Sequence, residues 1–172
     1  VYLTPFERDF LELSPGGLED TDTFFVDGWE CALTICRDTF FDTWNAERKE
    51  ADLWIDIKAN GVEYTEEMEE LFREALPQRI AETGVPYGVT VCLNGSFLDL
   101  LWEGPSSIIR FEGDRMPVHS GSGRIGEPGT GGGKGWVFVQ RAESAVRPEV
   151  INARLRLPAP MEGGTGAAYP GM

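Results

Sequence analysis

The chain has 172 residues, 41% of them hydrophobic, and carries 29 acidic against 15 basic side chains for a net charge of −14. That length and apolar content suit one domain with a real core. The charge argues against nucleic acid, whose phosphates demand a basic surface, and against docking on an anionic membrane. No apolar run approaches the roughly 20 residues that span a bilayer, and no basic stretch marks a signal peptide.

In chain order, Val1 to Phe6 reads as the end of a strand broken by Pro5. A chain that opens inside an element is expected to continue upstream. Glu7 to Gly28 is polar and turn-rich, punctuated by Ser14-Pro15-Gly16-Gly17. Glu30 to Cys36 is a strand, and Arg37 to Lys49 suits a short helix carrying Phe40, Phe41 and Trp44. Asp52 to Ile57 alternates, with Leu53, Ile55 and Ile57 on one face and Trp54 and Asp56 on the other. Thr65 to Thr83 is the strongest helix. Met68, Leu71, Phe72, Ala75, Leu76 and Ile80 recur at helical steps, Thr65 suits the N-cap and Gly84 the left-handed stop. Pro77 should kink it or mark a restart.

Pro86 to Leu93, Leu98 to Trp102 and Ser107 to Phe111 read as three more strands. Ser120 to Gly135 is half glycine and is expected to be a flexible loop; Trp136 to Gln140 returns as a last strand. We expect one domain over residues 1–140 and a poorly ordered tail over 141–172. Alternating β–α–β–α–β followed by consecutive strands predicts an α/β layered domain with a mixed sheet.

Cys36 ends a strand beside the charged pair Arg37-Asp38. That is how a protein presents a nucleophile, with the strand fixing the sulfur and a following helix offering N–H donors that favour a thiolate. The competing reading is a buried structural thiol, since free cysteine is among the most buried residue types. The remaining thiols, Cys31 and Cys92, and the single histidine, His119, make no zinc framework, and reduced thiols fit a cytoplasm-like compartment. A Cys–His dyad through His119 is disfavoured by its place beside the glycine-rich stretch. Gly126 to Gly135 fails as a phosphate loop: Pro128 stands where glycine is required, and Gly135 rather than Ser or Thr follows Lys134. The acidic runs Glu47–Glu50 and Glu63–Glu70 read as solvated faces.

Five segments in order resemble the nitrilase, or carbon–nitrogen hydrolase, superfamily. Ile35-Cys36-Arg37-Asp38-Thr39-Phe40-Phe41 is similar to its strand ending in Ile-Cys. Ala51-Asp52-Leu53 is similar to its next strand opening. Arg79-Ile80-Ala81-Glu82-Thr83-Gly84 is similar to its Arg-Ala-x-Glu helix. Val91-Cys92-Leu93-Asn94 and Gly104-Pro105-Ser106-Ser107-Ile108 are similar to the two strands that follow, and upstream Tyr2-Leu3-Thr4-Pro5-Phe6-Glu7 is similar to the family's glutamate segment. The resemblance covers roughly residues 1–112. Arg37 replaces a usual aromatic, and Phe40 stands where arginine is common.

The resemblance implies an α-β-β-α sandwich that pairs with itself through helices, and an enzyme with no metal or organic cofactor. Cys36 would be the nucleophile that forms an acyl-enzyme on an amide, nitrile or related small acyl substrate. Glu7 would be the supporting carboxylate, and the Arg37 backbone N–H an oxyanion donor. Lys49, Lys58 and Lys134 do not fall at the position of the family's lysine, nor does any residue match its general-base glutamate. The chain therefore resembles the C-terminal part of such a domain, cytoplasmic, and inactive or nearly so by itself. Two alternatives stay open: an acyltransferase of the apolipoprotein N-acyltransferase branch, and a non-catalytic interaction domain.

Overall fold

The computed structural model describes residue 3 and residues 5–14, 23–41, 50–97, 100–112 and 135–156, the side chains of 6, 7, 97 and 100 excepted. Three strands lie parallel at its centre: β2 (Trp29–Ile35), β3 (Leu53–Lys58) and β4 (Tyr87–Cys92). Strand β1 (Phe24–Val26) joins one edge by an antiparallel hairpin through Asp27 and Gly28. On the other side β7 (Ser107–Glu112) pairs antiparallel with β4, and β8 (Gly135–Arg141) with β7. The sheet order is therefore β1-β2-β3-β4-β7-β8, the mixed sheet that the alternation predicts. A separate hairpin pairs β5 (Gly95–Phe97) with β6 (Leu100–Trp102).

Two helices cross from β3 to β4, α2 (Glu66–Glu74) and α3 (Leu76–Thr83). They replace the single helix expected over Thr65–Thr83. The break falls at Ala75, and Pro77 sits in the first turn of α3, where a missing N–H costs least. Thr65 caps α2 by accepting from the Met68 N–H at 3.3 Å, and Gly84 ends α3 at φ 73°.

Strand alternation sends Ala32, Trp54, Gly88 and Ile109 toward the helices, where they join Leu76, Ile80, Ala81 and Val85 in the core. Gly88 sets how closely α3 approaches. A Cβ there would lie 2.9 Å from Ile109 Cγ1 and 3.1 Å from Ile80 Cγ1. Gly88→Ala should therefore overpack this contact and cost about 1–3 kcal/mol, read as a lower urea midpoint; an unchanged midpoint would mean that helix and sheet separate freely. The opposite face of the sheet displays Leu33, Ile35, Ile57, Val91 and Leu93 to solvent.

Two expectations change. Pro5 and Phe6, placed at the end of a strand over Val1–Phe6, instead open the short helix α1 (Pro5–Asp9), since proline fits a first helical position; Val1, Tyr2 and Thr4 lie outside the described residues. The helix placed over Arg37–Lys49 is, in its described part, a single 3-10 turn, Cys36–Phe40, that Phe41 leaves in extended conformation; residues 42–49 lie outside the described residues. Asp38 and Thr39 bond their side chains back to the local backbone, which closes this tight turn instead of continuing a helix. Residues 142–156 form no helix or strand; Asn94 Nδ2, in the loop after β4, donates to the Ala145 carbonyl (2.6 Å), and Tyr87 Oη donates to the Arg156 carbonyl (3.0 Å). The glycine-rich segment up to 134 lies outside the described residues.

Candidate active site

Cys36 stands immediately after β2, at the carboxyl end of the parallel strands, where open α/β sheets hold their ligands. Its φ is +49°, a left-handed conformation that costs a residue with a Cβ on the order of 1 kcal/mol. It is part-buried.

A shell of polar side chains holds this corner. The Thr39 hydroxyl donates to the Cys36 carbonyl at 2.9 Å. Lys58 Nζ donates to the same carbonyl at 3.3 Å and to Thr39 Oγ1 at 3.3 Å. Asp38, 1% exposed, accepts the Ile35 N–H at 3.2 Å. From α3, Arg79 Nε donates to the Thr39 carbonyl at 3.0 Å, while its Nη1 meets Glu82 Oε2 at 2.6 Å. The Arg-x-x-Glu pair of the quoted helix segment thus braces the turn after the cysteine.

Lys58 is itself buried, 3% exposed, with Nζ 2.8 Å from Asp56 Oδ2 and above the rings of Phe40 and Phe72. Asp56 Oδ2 has charge contact with that ammonium but no well-aligned hydrogen bond; Asp56 Oδ1 accepts from Thr34 Oγ1 at 3.3 Å, which in turn accepts from Trp54 Nε1 at 3.0 Å. Burial raises the Asp56 carboxyl above the usual carboxylate range, and the charge of Lys58 opposes that shift.

The other thiols sit differently. Burial pushes Cys92 up to about 12, and burial, followed by Asp52 and Glu30, raises Cys31. Neither suits a thiolate. Cys92 packs under Gly104, whose Cβ would lie 3.1 Å from its Sγ, and its backbone N–H meets Ser106 Oγ at 3.0 Å. The Gly104-Pro105-Ser106 segment therefore packs β4.

Of the site residues expected from sequence, Cys36 and Arg37 meet at this corner. The Arg37 guanidinium is exposed, 6.0 Å from the centre of the Phe41 ring. Glu7 lies in α1, and its carboxylate is outside the described side chains. Sequence reading gave Lys58 no role. Continuing the Trp54–Asp56 alternation one step places Lys58 on the same covered face, so two opposite charges on the buried side of a strand were the available signal. A small cleft among the described residues, lined by Tyr64, Glu69, Phe72, Thr90, Ser107 and Arg141, does not include Cys36. Burial would raise Glu69 there, but Arg141 and Arg73 hold it below the usual range.

No family model and no curated protein matches the sequence. Solved structures do. The chain is similar to an amidase from Nesterenkonia sp. AN1, of the nitrilase superfamily, at 19% identity and TM-score 0.42, over 52% of this chain and 34% of that one. In another structure of that amidase, at 20% identity, TM-score 0.41 and 52% and 33% coverage, the acetamide moiety of fluoroacetamide is covalently added at the active-site cysteine. The chain is also similar to a carbon–nitrogen hydrolase from Helicobacter pylori G27, at 13% identity and TM-score 0.49, over 63% and 42% of the two chains. It thus spans about a third of the length of the amidase.

Proposed function

We propose that this chain is the nucleophile-bearing part of a carbon–nitrogen hydrolase acting on a small amide, nitrile or related acyl compound. The observation that carries the reading is Cys36 at φ +49°, part-buried at the carboxyl end of a central parallel strand. Strain of this kind persists where surrounding structure enforces it, and here four side chains from three elements do so. The open apolar face of the sheet suits a second sheet, which completes the α-β-β-α sandwich that the quoted motifs imply.

In this reading the Cys36 sulfur attacks the acyl carbon, the C–N bond breaks, the amine leaves with the thiol proton and a thioester remains; with a nitrile the sulfur adds to the carbon, the nitrogen takes the proton and a thioimidate forms. The Arg37 N–H stabilises the developing negative charge, a contact whose loss typically costs about 3 kcal/mol. Glu7 supports the site, and copies of the chain pair through helices, in the cytoplasm. A five-residue 3-10 turn offers little helix dipole, so this single N–H and the local charges replace the helix end expected from sequence.

No residue among the 172 matches the general base or the lysine of the family motif, so we further propose that acylation stops at the thioester. Incubation with an activated ester, followed by intact mass and peptide mapping, should show one acyl group, on Cys36, and no sustained turnover. Acylation on other residues alone would overturn the nucleophile assignment. Continued turnover by the isolated chain would overturn the second proposal.

A further inference from the structure

Lys58 reaches the corner from the neighbouring strand. Its ammonium and the Thr39 hydroxyl converge on one atom, the Cys36 carbonyl oxygen, and they also bond each other. Its stem comes up from the covered side of β3, and the rings of Phe40 and Phe72 flank its head. A lysine this buried is rare without a task or a partner. Its partner, Asp56, contacts it through one oxygen that has no other donor.

We propose that Lys58 is the positioning residue for Cys36: its ammonium fixes the left-handed backbone at the cysteine and supplies a positive charge that Asp56 partly cancels. The proposal rests on the hydrolase reading only in taking Cys36 as the nucleophile. Two tasks combine in one group. The bond to the carbonyl oxygen aims the sulfur and the Arg37 N–H. The charge sits at the corner from which the sulfur attacks, 3.3 Å from the Cys36 carbonyl oxygen. Among the described residues, the other ionisable groups around the corner are Arg37 and Asp38 on the turn itself, Arg79 from α3 and Cys92 from β4. Arg79 bonds the Thr39 carbonyl and Asp38 the Ile35 N–H, whereas Lys58 bonds the Cys36 carbonyl itself.

The test is site-resolved alkylation of the folded chain by iodoacetamide at neutral pH, with peptide mass spectrometry following Cys36 and using Cys31, which neither Lys58 nor Asp56 perturbs, as the internal reference. Circular dichroism confirms folding. Lys58→Met should slow Cys36 about tenfold, as expected for loss of a neighbouring cation from a reactive thiol. Lys58→Arg should recover most of the rate. Asp56→Asn should raise it, because the ammonium is no longer neutralised. The double variant Asp56→Asn/Lys58→Met leaves neither charge unpaired and should be as slow as Lys58→Met. An unchanged Cys36 rate in folded Lys58→Met overturns the proposal. So does equal slowing in every variant, the signature of a merely structural pair. Should Lys58→Met not fold, the opposite signs required of Asp56→Asn and the double variant still decide. Because alkylation needs no acyl substrate, failure of the hydrolase reading appears separately, as an ester that never acylates Cys36.

Discussion

Replacing Cys36 with glycine is expected to abolish acylation completely while leaving the chain at least as stable as before. At φ +49° the Cβ is the source of the strain, and glycine carries none. Relief of a left-handed conformation is worth up to about 1 kcal/mol, offset in part by the extra freedom of glycine in the unfolded chain. Cys36→Ala should lose the same chemistry but keep the strain, so its urea midpoint should stay near that of the parent. The comparison separates geometry from chemistry. A glycine variant clearly less stable than the alanine variant would show that the corner is relaxed with a side chain present, and the strain argument would fail.

Trp54→Ala should be the most damaging single change to the fold. Trp54 is fully buried, and it joins Ile80, Leu76, Val85 and Trp136 in one core cluster. Truncating a buried aromatic costs about 3–5 kcal/mol, a large share of the roughly 5–15 kcal/mol that a domain has in all. The loss also removes the indole N–H that Thr34 accepts, one step from Asp56. Trp54→Phe keeps most of the packing and isolates that hydrogen bond, at about 1–2 kcal/mol. Thermal and chemical denaturation of the two variants would check both figures. A loss below 1 kcal/mol in Trp54→Ala would mean that the core is centred elsewhere.

Elements with a strong period were legible in the sequence. The strands through Leu33, Ile55, Val89 and Ile109, and the helical stretch broken near Pro77, fall where alternation and the three-and-four step put them. Short elements with special turns were not. The hairpin at Phe24–Val26 turns through Asp27-Gly28 at φ 49° and 84°, an Asp-Gly signal that was lost inside a polar stretch. The helical spacing of Phe40, Phe41 and Trp44 predicts a helix where the structure has a tight turn. Periodicity does not register that Asp38 and Thr39 fold back on the backbone. The position of Cys36 at a strand end could be read directly. Its support could not, because Lys58 and Arg79 lie 22 and 43 residues away in sequence, and only the sheet register and the docking of α3 bring them to it.

That docking has its own consequence. One guanidinium ties the turn of Cys36 to α3, and α3 rests on a strand position with no side chain between them. A small shift of α3 that breaks this guanidinium contact frees the turn without unpairing the central strands. The sulfur would then lose its aim while the sheet beneath it stayed intact. Heat or denaturant would silence the chemistry of this chain at doses that leave most of its architecture standing.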